Sequence, residues 1–172
     1  MPHHPPHIFL DDTWYMVTAA TFQHRPLLHP DGHKQLVKDQ LNILINEFKM
    51  KLMAWVILDN HYHLLVKSQV GERLPDFFRR FHGRISYEIN KIDDTRRRQV
   101  WHNYWDTCIR DEDGFWTRFN YIHHNPVKHG YVSRMEDWPY LSYQYYLRSK
   151  GADWLADAFQ RYSIIDYTDH LD

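Results

Sequence analysis

Two short patterns in the sequence hold side chains with the chemistry of a metal site. The first is His61-Tyr62-His63. Residues two apart in a β-strand point to the same face, so a strand here would present both imidazoles on one side and Tyr62 on the other. Two imidazoles on one face can share a metal ion. Because the chain has 14 histidines among 172 residues, about one such pair is also expected by chance.

The second pattern is Tyr121 followed four residues later by Asn125, in a segment with helical periodicity. Residues four apart are neighbours on one face of a helix. The apolar stripe of this helix is formed by Phe115, Phe119 and Ile122, and Tyr121 lies to one side of it. Spacing alone therefore leaves two interpretations open, a surface tyrosine that flanks the core and a functional phenol.

Together the two patterns suggest a reaction. His61, His63 and the Asn125 amide oxygen would supply three metal ligands and leave positions for water or substrate. Imidazole and oxygen ligands suit Mn²⁺ well and Mg²⁺ acceptably, and Zn²⁺ also accepts such a set. The ion would polarise a phosphoryl oxygen, and Tyr121 beside it would be a candidate nucleophile.

The elements that must position these residues follow from hydropathy and turn signals. Strands are predicted over 13–20, 52–58, 61–68 and 100–109, and helices over 34–50 and 74–91. A third helix is predicted to begin at the acidic Asp111-Glu112-Asp113 and to end at Pro126. The order predicts an α+β fold with a ferredoxin-like or RRM-like β-α-β-β-α-β sheet and helices on one face. The Tyr121 helix and a C-terminal helical extension would be added to it.

Length and composition predict one domain, with residues 1–12 as a mobile N-terminal tail and 131–172 as an extension packed on the same domain. No apolar run approaches the ~18 residues of a membrane span. Cys108 is the one cysteine, which excludes an internal disulfide framework and a cysteine-based zinc cluster. A reducing, cytoplasmic location fits this composition best.

Charge is distributed unevenly along the chain, although the formal net charge is only −1. Residues 67–110 carry a net charge of +4, and residues 151–172 carry −4. The basic stretch is either a solvated surface or a patch that follows phosphates. The acidic C-terminus would either shield a phosphate-binding site or cap the fold. The candidate phosphate-binding residues of the basic stretch are Arg79, Arg80, Arg84, Arg96, Arg97 and Arg98.

Two longer strings identify a family resemblance. Trp55-Val-Ile-Leu-Asp-Asn-His61-Tyr-His63-Leu-Leu-Val66 resembles the HUH motif (His, hydrophobic, His) of single-tyrosine transposases. Tyr121-Ile-His-His-Asn125-Pro-Val-Lys128-His-Gly-Tyr-Val132 resembles the catalytic-helix signature of the REP-associated tyrosine transposases, which are related to IS200-like transposases. The similarity runs from about residue 13 to about residue 146. Asp59 departs from the pattern, since the family often has proline there.

The resemblance implies a role for each matching residue. His61 and His63 would bind Mg²⁺ or Mn²⁺, with Asn125 as the third ligand in place of the glutamine of related transposases. Tyr121 would attack a phosphodiester of single-stranded DNA, form a 5′-phosphotyrosine and release a 3′-hydroxyl. Residues 13–130 would be the catalytic domain. The implied substrate is a hairpin of the repetitive extragenic palindromic (REP) type with a short flanking tetranucleotide.

Further expectations concern the phosphate contacts and the partners. Lys128 belongs to the matching string and is a candidate DNA contact, and Arg118, one turn before Tyr121, could steady the scissile phosphate. The REP-associated branch favours a monomer, while a homodimer remains possible because related transposases exchange this helix between subunits. The expected location is the bacterial cytoplasm, in association with the nucleoid and with no membrane.

Two other functions remain open on the sequence. One is a non-catalytic module that binds single-stranded DNA or RNA hairpins on the same sheet. The other is a zinc hydrolase in which Tyr121 only donates a hydrogen bond. Replacing Tyr121 by Phe separates these hypotheses from a tyrosine nucleophile.

Overall fold

The order of elements in the structure confirms the predicted α+β fold. The structure is a computed structural model that describes residues 9–167. The sheet strands are β1 (Thr13–Thr21), β2 (Lys51–Ile57), β3 (His61–Ser68) and β4 (Trp101–Cys108). The α-helices are α1 (Asp31–Glu47), α2 (Arg73–Ile92), α3 (Glu112–Lys128), α4 (Tyr143–Ser149) and α5 (Ala152–Arg161).

The four strands form an antiparallel sheet in the order β2-β3-β1-β4. The predicted β2–β3 hairpin turns at Asp59-Asn60, where Leu58 N donates to His61 O at 2.9 Å. In the sheet register, Thr18 of β1 lies opposite His63 on one side and opposite Trp105 on the other. The two predicted histidines therefore lie near the middle of the sheet, at the start of β3.

Alternation along β3 divides the molecule into two layers. Tyr62, Leu64 and Val66 point to the face covered by α1 and α2, where they join the larger hydrophobic core. The opposite face is covered by α3, and Leu65 packs there in a second core. Helices α4 and α5 contribute to this second core, so residues of the C-terminal extension pack against α3.

The end of α3 differs from the sequence prediction, which placed it at Pro126. The helix continues through Pro126 to Lys128, and Gly130 follows with a φ of +73°. Proline has no N–H to donate to the carbonyl four residues earlier, so one helical hydrogen bond is lost, but Asn125 and Pro126 are both buried. Packing therefore outweighs the local preference, and a left-handed glycine ends the helix instead.

The N-terminal segment also differs from the expected tail. Phe9 is buried edge-to-face against Tyr15, with ring centroids 4.9 Å apart. Leu10 N donates to Tyr15 Oη at 2.8 Å, and Asp11 accepts from Gly71 N at 2.7 Å. Residues 9–12 therefore belong to the folded domain, while 1–8 lie outside the described residues. None of the described helices is long and apolar enough to cross a membrane.

Candidate active site

The two histidines of β3 lie on the α3 face and are both buried. Their ring centroids are 5.0 Å apart. His61 Nδ1 lies 2.7 Å from Asn60 Oδ1, and because an amide oxygen only accepts, His61 donates from Nδ1. This tautomer carries the ring lone pair on Nε2, so Asn60 selects the nitrogen that could bind a metal ion.

His63 is held from the neighbouring strand. Its Nδ1 lies 2.6 Å from the Thr18 hydroxyl, directly across the β1–β3 pairing. Burial, aided by nearby His129 and Lys128, lowers the pKa of His63 to about 3. The imidazole is therefore neutral at physiological pH, which is the form that ligates metals.

Tyr121 faces the histidines from α3. Its ring centroid is 5.4 Å from that of His63. Its hydroxyl donates to Tyr167 O at 3.1 Å and lies 3.4 Å from Lys128 Nζ. The side chain is buried, so the structure contradicts the interpretation as a surface tyrosine. That alternative assumed one covered helix face, whereas α3 is enclosed by the sheet and by the C-terminal segment.

Asn125 lies between two contacts that α3 makes with β3. Residues 121, 125 and 129 follow one helix face at one-turn intervals. Tyr121 contacts His63, and His129 contacts His61 with ring centroids 5.2 Å apart. Asn125 is thus bracketed on the face of α3 that meets the two histidines. The predicted set of Tyr121, His61, His63 and Asn125 is brought together by the fold.

The Asn125 side chain fits a ligand role. It is fully buried, and neither its Oδ1 nor its Nδ2 has a hydrogen-bond partner among residues 9–167. A buried amide without partners is costly, so it calls for a bound group. In the described part of the chain, no three His, Cys, Asp or Glu side chains are arranged to hold a metal ion. The Asn125 amide oxygen is a ligand group of another type on the helix face that meets His61 and His63.

The end of the described chain covers the phenol of Tyr121. The Tyr167 ring packs edge-to-face on the Tyr121 ring, with centroids 5.3 Å apart. The Tyr167 hydroxyl lies 2.6 Å from Thr117 Oγ1, and Asp166 forms a 2.6 Å ion pair with Lys128. The guanidinium carbon of Arg118 lies 4.5 Å from the Tyr167 ring centroid. This segment therefore occupies the space beside the Tyr121 hydroxyl.

The predicted basic residues divide into three groups. Arg118 and Lys128 are carried by α3, one turn before and about two turns after Tyr121. A second group lies on α2, across the sheet from the histidines, where Asp76 and Glu47 accept its ion pairs. The structure does not bring this second group to the candidate site; it comprises Arg79, Arg80 and Arg84.

The arginine run lies in the loop that leads from α2 into β4. This loop adjoins the end of the sheet where β3 begins, because Val100 O accepts from Phe22 N and Thr21 N donates to Asn60 O. Arg98 is tied down by Asp93 at 2.6 Å, whereas Arg96 and Arg97 are exposed.

Sequence reasoning missed several residues of the site. Thr18, Asn60 and His129 each contact one of the two histidines, and Tyr167 contacts Tyr121. Asn60 directly precedes the pattern, and His129 follows Asn125 at the same four-residue interval, so both had a local signal. Thr18 and Tyr167 had none, because 45 and 46 residues separate them from their partners.

Comparison with known proteins places this arrangement in a family. The family described as "Transposase IS200 like" matches residues 10–125, about two thirds of the chain. The chain belongs to this family and is accordingly an enzyme of the transposase class. The match includes His61, His63, Tyr121 and Asn125.

Two relatives and one solved structure refine the comparison. The REP-associated tyrosine transposase of Escherichia coli K12 is 25% identical over 134 residues, covering 76% of each chain. A Haemophilus influenzae relative named for the same group is 29% identical over 127 residues, covering 62% of this chain and 72% of its own length. A structure of a REP-associated tyrosine transposase bound to a REP hairpin superposes with a TM-score of 0.72 at 19% identity, covering 87% of this chain and 88% of the other. These comparisons confirm the expected family resemblance. The superposition on the hairpin-bound structure shows that the two chains share a fold.

Proposed function

We propose that this protein is a metal-dependent single-stranded DNA endonuclease and strand transferase acting through a 5′-phosphotyrosine at Tyr121. The observation that carries the proposal is the packing of α3 on β3. It puts the Tyr121 ring 5.4 Å from His63 and places Asn125, whose amide has no hydrogen-bond partner among residues 9–167, on the helix face that meets the two imidazoles. A nucleophile and three ligand groups thus share one enclosed layer.

The residues around Tyr121 suit an attack on phosphorus. The Tyr121 oxygen would bond to phosphorus as the phenol loses its proton and the bond from phosphorus to O3′ breaks. The departing O3′ gains a proton and becomes a 3′-hydroxyl. Lys128 Nζ lies 3.4 Å from the phenol oxygen and would stabilise the negative charge that develops there. Because a 3′-hydroxyl can reverse the step, strand transfer needs no other energy source.

His61 and His63 through Nε2 and Asn125 through Oδ1 are the residues that would hold the metal ion. The hydrogen bonds from Asn60 and Thr18 fix the two rings, and burial keeps His63 neutral. Mg²⁺ and Mn²⁺ both accept this set, and a bound ion polarises a phosphoryl oxygen.

The proposed substrate is a REP-type DNA hairpin in the bacterial cytoplasm, at the nucleoid. The name shared by the relatives and the hairpin in the compared structure support this choice. Arg118 and Lys128 would contact phosphates beside Tyr121, and Arg96 to Arg98 would contact DNA at the end of the sheet near His61. The paired arginines of α2 would contribute less, because Asp76 and Glu47 neutralise them.

We further propose that Tyr121 acts in cis and that a monomer is sufficient. The tyrosine and both histidines come from one chain in the observed packing. A homodimer that exchanged α3 alone would lose the core that α3 forms with α4 and α5.

The test is formation of a covalent adduct. Purified protein is mixed with labelled single-stranded hairpin DNA from repeats flanking its own gene, with Mn²⁺ or Mg²⁺, and resolved on a denaturing gel. We expect an adduct with the wild type and none with Tyr121→Phe, which keeps hairpin binding. Tyr143→Phe, which removes the hydroxyl of another buried tyrosine of the same core, should retain the adduct.

One observation favours a second candidate function, hairpin binding without cleavage. Tyr167 covers the Tyr121 phenol, as expected of a site that no longer turns over. Salt-sensitive hairpin binding with no adduct in either metal would favour this function. Hydrolysis that persists in Tyr121→Phe would instead indicate a metal hydrolase.

A further inference from the structure

A groove that none of the predicted site residues lines opens along the outer edge of β2. Residues 140–142 pair with part of this edge strand, since Ile57 N donates to Tyr140 O and Ser142 N donates to Trp55 O, both at 3.0 Å. Beside this pairing, a groove of about 620 Å³ opens between α1 and α4. A second cavity of about 470 Å³ continues this groove, and both are lined by Trp55, Ser142 and Tyr145.

Two aromatic side chains line both parts of the groove. Trp55 is half-buried, and Tyr145 on α4 has 60% of its surface exposed. Lys38 of α1 places its Nζ 5.7 Å from the Trp55 ring centroid. Flat, accessible rings next to a cation are the features on which proteins stack unpaired bases.

The groove also carries cations that the protein does not neutralise. Lys38, Arg148 and Lys150 line it, and none of them forms an ion pair within residues 9–167. The contrast is with α2, where Arg80 and Arg84 both pair with Glu47.

Polar groups complete the lining. Acidic Glu136 and Asp137 line the groove as well, and Arg134 pairs with Glu136. Gln144 donates to the carbonyls of Glu136 and Trp138 and so fixes this side of the groove. The three cations of the groove outnumber its two carboxylates, so it offers stacking surfaces and a surplus of positive charge together.

We propose that this groove binds an unpaired segment of the DNA substrate, with a base stacked on Tyr145 or Trp55 and phosphates held by Arg148 and Lys150. The inference rests on the proposed function, whose substrate would have single-stranded flanks. The groove lies at the edge of the sheet that β2 forms. There Trp55 points to the α1 and α2 face, while the next residue, Val56, lies directly opposite His63 on the α3 face. An unpaired flank held at this edge would lie one strand away from the strand that carries His63.

The test compares two DNA probes on the full-length protein, in EDTA so that no cleavage occurs. One probe is a blunt hairpin, and the other is the same hairpin with ten unpaired thymidines on each side. We expect Tyr145→Ala to weaken binding of the flanked probe about tenfold and to leave the blunt probe within twofold. Arg148→Gln should reduce the slope of log K against log salt by about 0.7 for the flanked probe.

Tyr87→Ala is the matched control, because Tyr87 lies on α2 with 66% of its surface exposed. It should change neither affinity. Equal affinities of wild type and Tyr145→Ala for the flanked probe would overturn the proposal, as would an equal loss on both probes. Crosslinking of 5-iodouracil in the flank should label Tyr145 or Trp55, and labelling elsewhere alone would also overturn it.

The covalent-adduct assay keeps this result separate from the proposed function. If wild type forms the adduct and Tyr145→Ala binds both probes normally, the groove assignment fails and the catalytic proposal stands. If no adduct forms but Tyr145→Ala loses the flanked probe selectively, the groove assignment stands and catalysis fails.

Discussion

The two faces of the sheet are built from alternate residues of the same strand and differ in what they bury. On the α1 and α2 face, Tyr62 and Leu64 pack among aromatic and aliphatic side chains, and the Tyr62 hydroxyl lies 2.7 Å from His82 Nε2. On the α3 face, His61 and His63 are also buried, and neither polar atom of the buried Asn125 side chain has a hydrogen-bond partner in the described part of the chain.

We expect burial to serve stability on the first face and the proposed chemistry on the second. A buried polar atom without a hydrogen bond costs roughly 1–3 kcal/mol. Among residues 9–167, the hydrophobic core of the first face contains one such atom, Trp101 Nε1, whereas the α3 face leaves both polar atoms of the Asn125 amide, on the helix that carries Tyr121. Neighbouring residues on β3 should therefore respond to substitution in opposite ways.

The largest expected effect is on catalysis, from His63→Ala. Loss of a proposed ligand should lower the rate of adduct formation by more than about 100-fold, beyond the 10- to 100-fold typical of outer partners of metal ligands. The measurement is adduct yield against time with Mn²⁺.

Leu64→Ala, one residue further along β3, should instead lower stability and leave catalysis unchanged. It should lower the free energy of unfolding by about 2–5 kcal/mol, as for other leucines truncated in a core. The folded fraction should still form the adduct at the wild-type rate. If Leu64→Ala abolished the chemistry, or His63→Ala left it intact, the division between the two faces would be wrong.

A smaller effect on the free energy of unfolding is expected when the pH is lowered, and both sides of the sheet should contribute to it. Loss of hydration lowers the pKa of His82, on α2, and of His123, on α3, to about 3 each. The unfolded chain takes up these protons first, near pH 6.5, so their contribution to stability is complete above that pH and is lost as pH falls towards 3.

Within this pH range, each of these histidines should lower the free energy of unfolding by about 1 kcal/mol for each pH unit of acidification. Urea unfolding at intervals from pH 7 to pH 4.5 measures the slope. His82→Gln and His123→Gln, tested separately, should each reduce it by a similar amount. His102→Gln, at an exposed position, should leave it unchanged. A slope that neither buried substitution alters would contradict this account.

The smallest expected effect concerns the C-terminal cover on the α3 face. Ending the chain after Ser163 removes the Tyr167 carbonyl that accepts from Tyr121 and the Asp166 carboxylate paired with Lys128. Adduct formation should rise several-fold, since such hydrogen bonds contribute about 0.5–1.5 kcal/mol each. Asp166→Asn, at full length, should give a smaller rise. An unchanged rate and unchanged hairpin affinity would show that the segment only caps the fold.

The local pattern of the sequence was sufficient to predict the elements and the residue pairs. Alternation along 61–68 put two histidines on one face, and four-residue spacing put Tyr121 beside Asn125. These periodicities are set by the geometry of a strand and a helix, so they can be read without tertiary information. The motif strings then identified the family, which the match to residues 10–125 confirms.

Only the tertiary structure decided how those pairs meet and what surrounds them. The contacts of Thr18 with His63, of Tyr167 with Tyr121 and of Tyr145 with the groove at Trp55 join residues far apart in the chain. The continuation of α3 through Pro126 was likewise decided by the tertiary structure, because burial outweighed the preference of a helix to end before proline. Local sequence sets backbone periodicity, but the burial and pairing of a side chain depend on its neighbours in space.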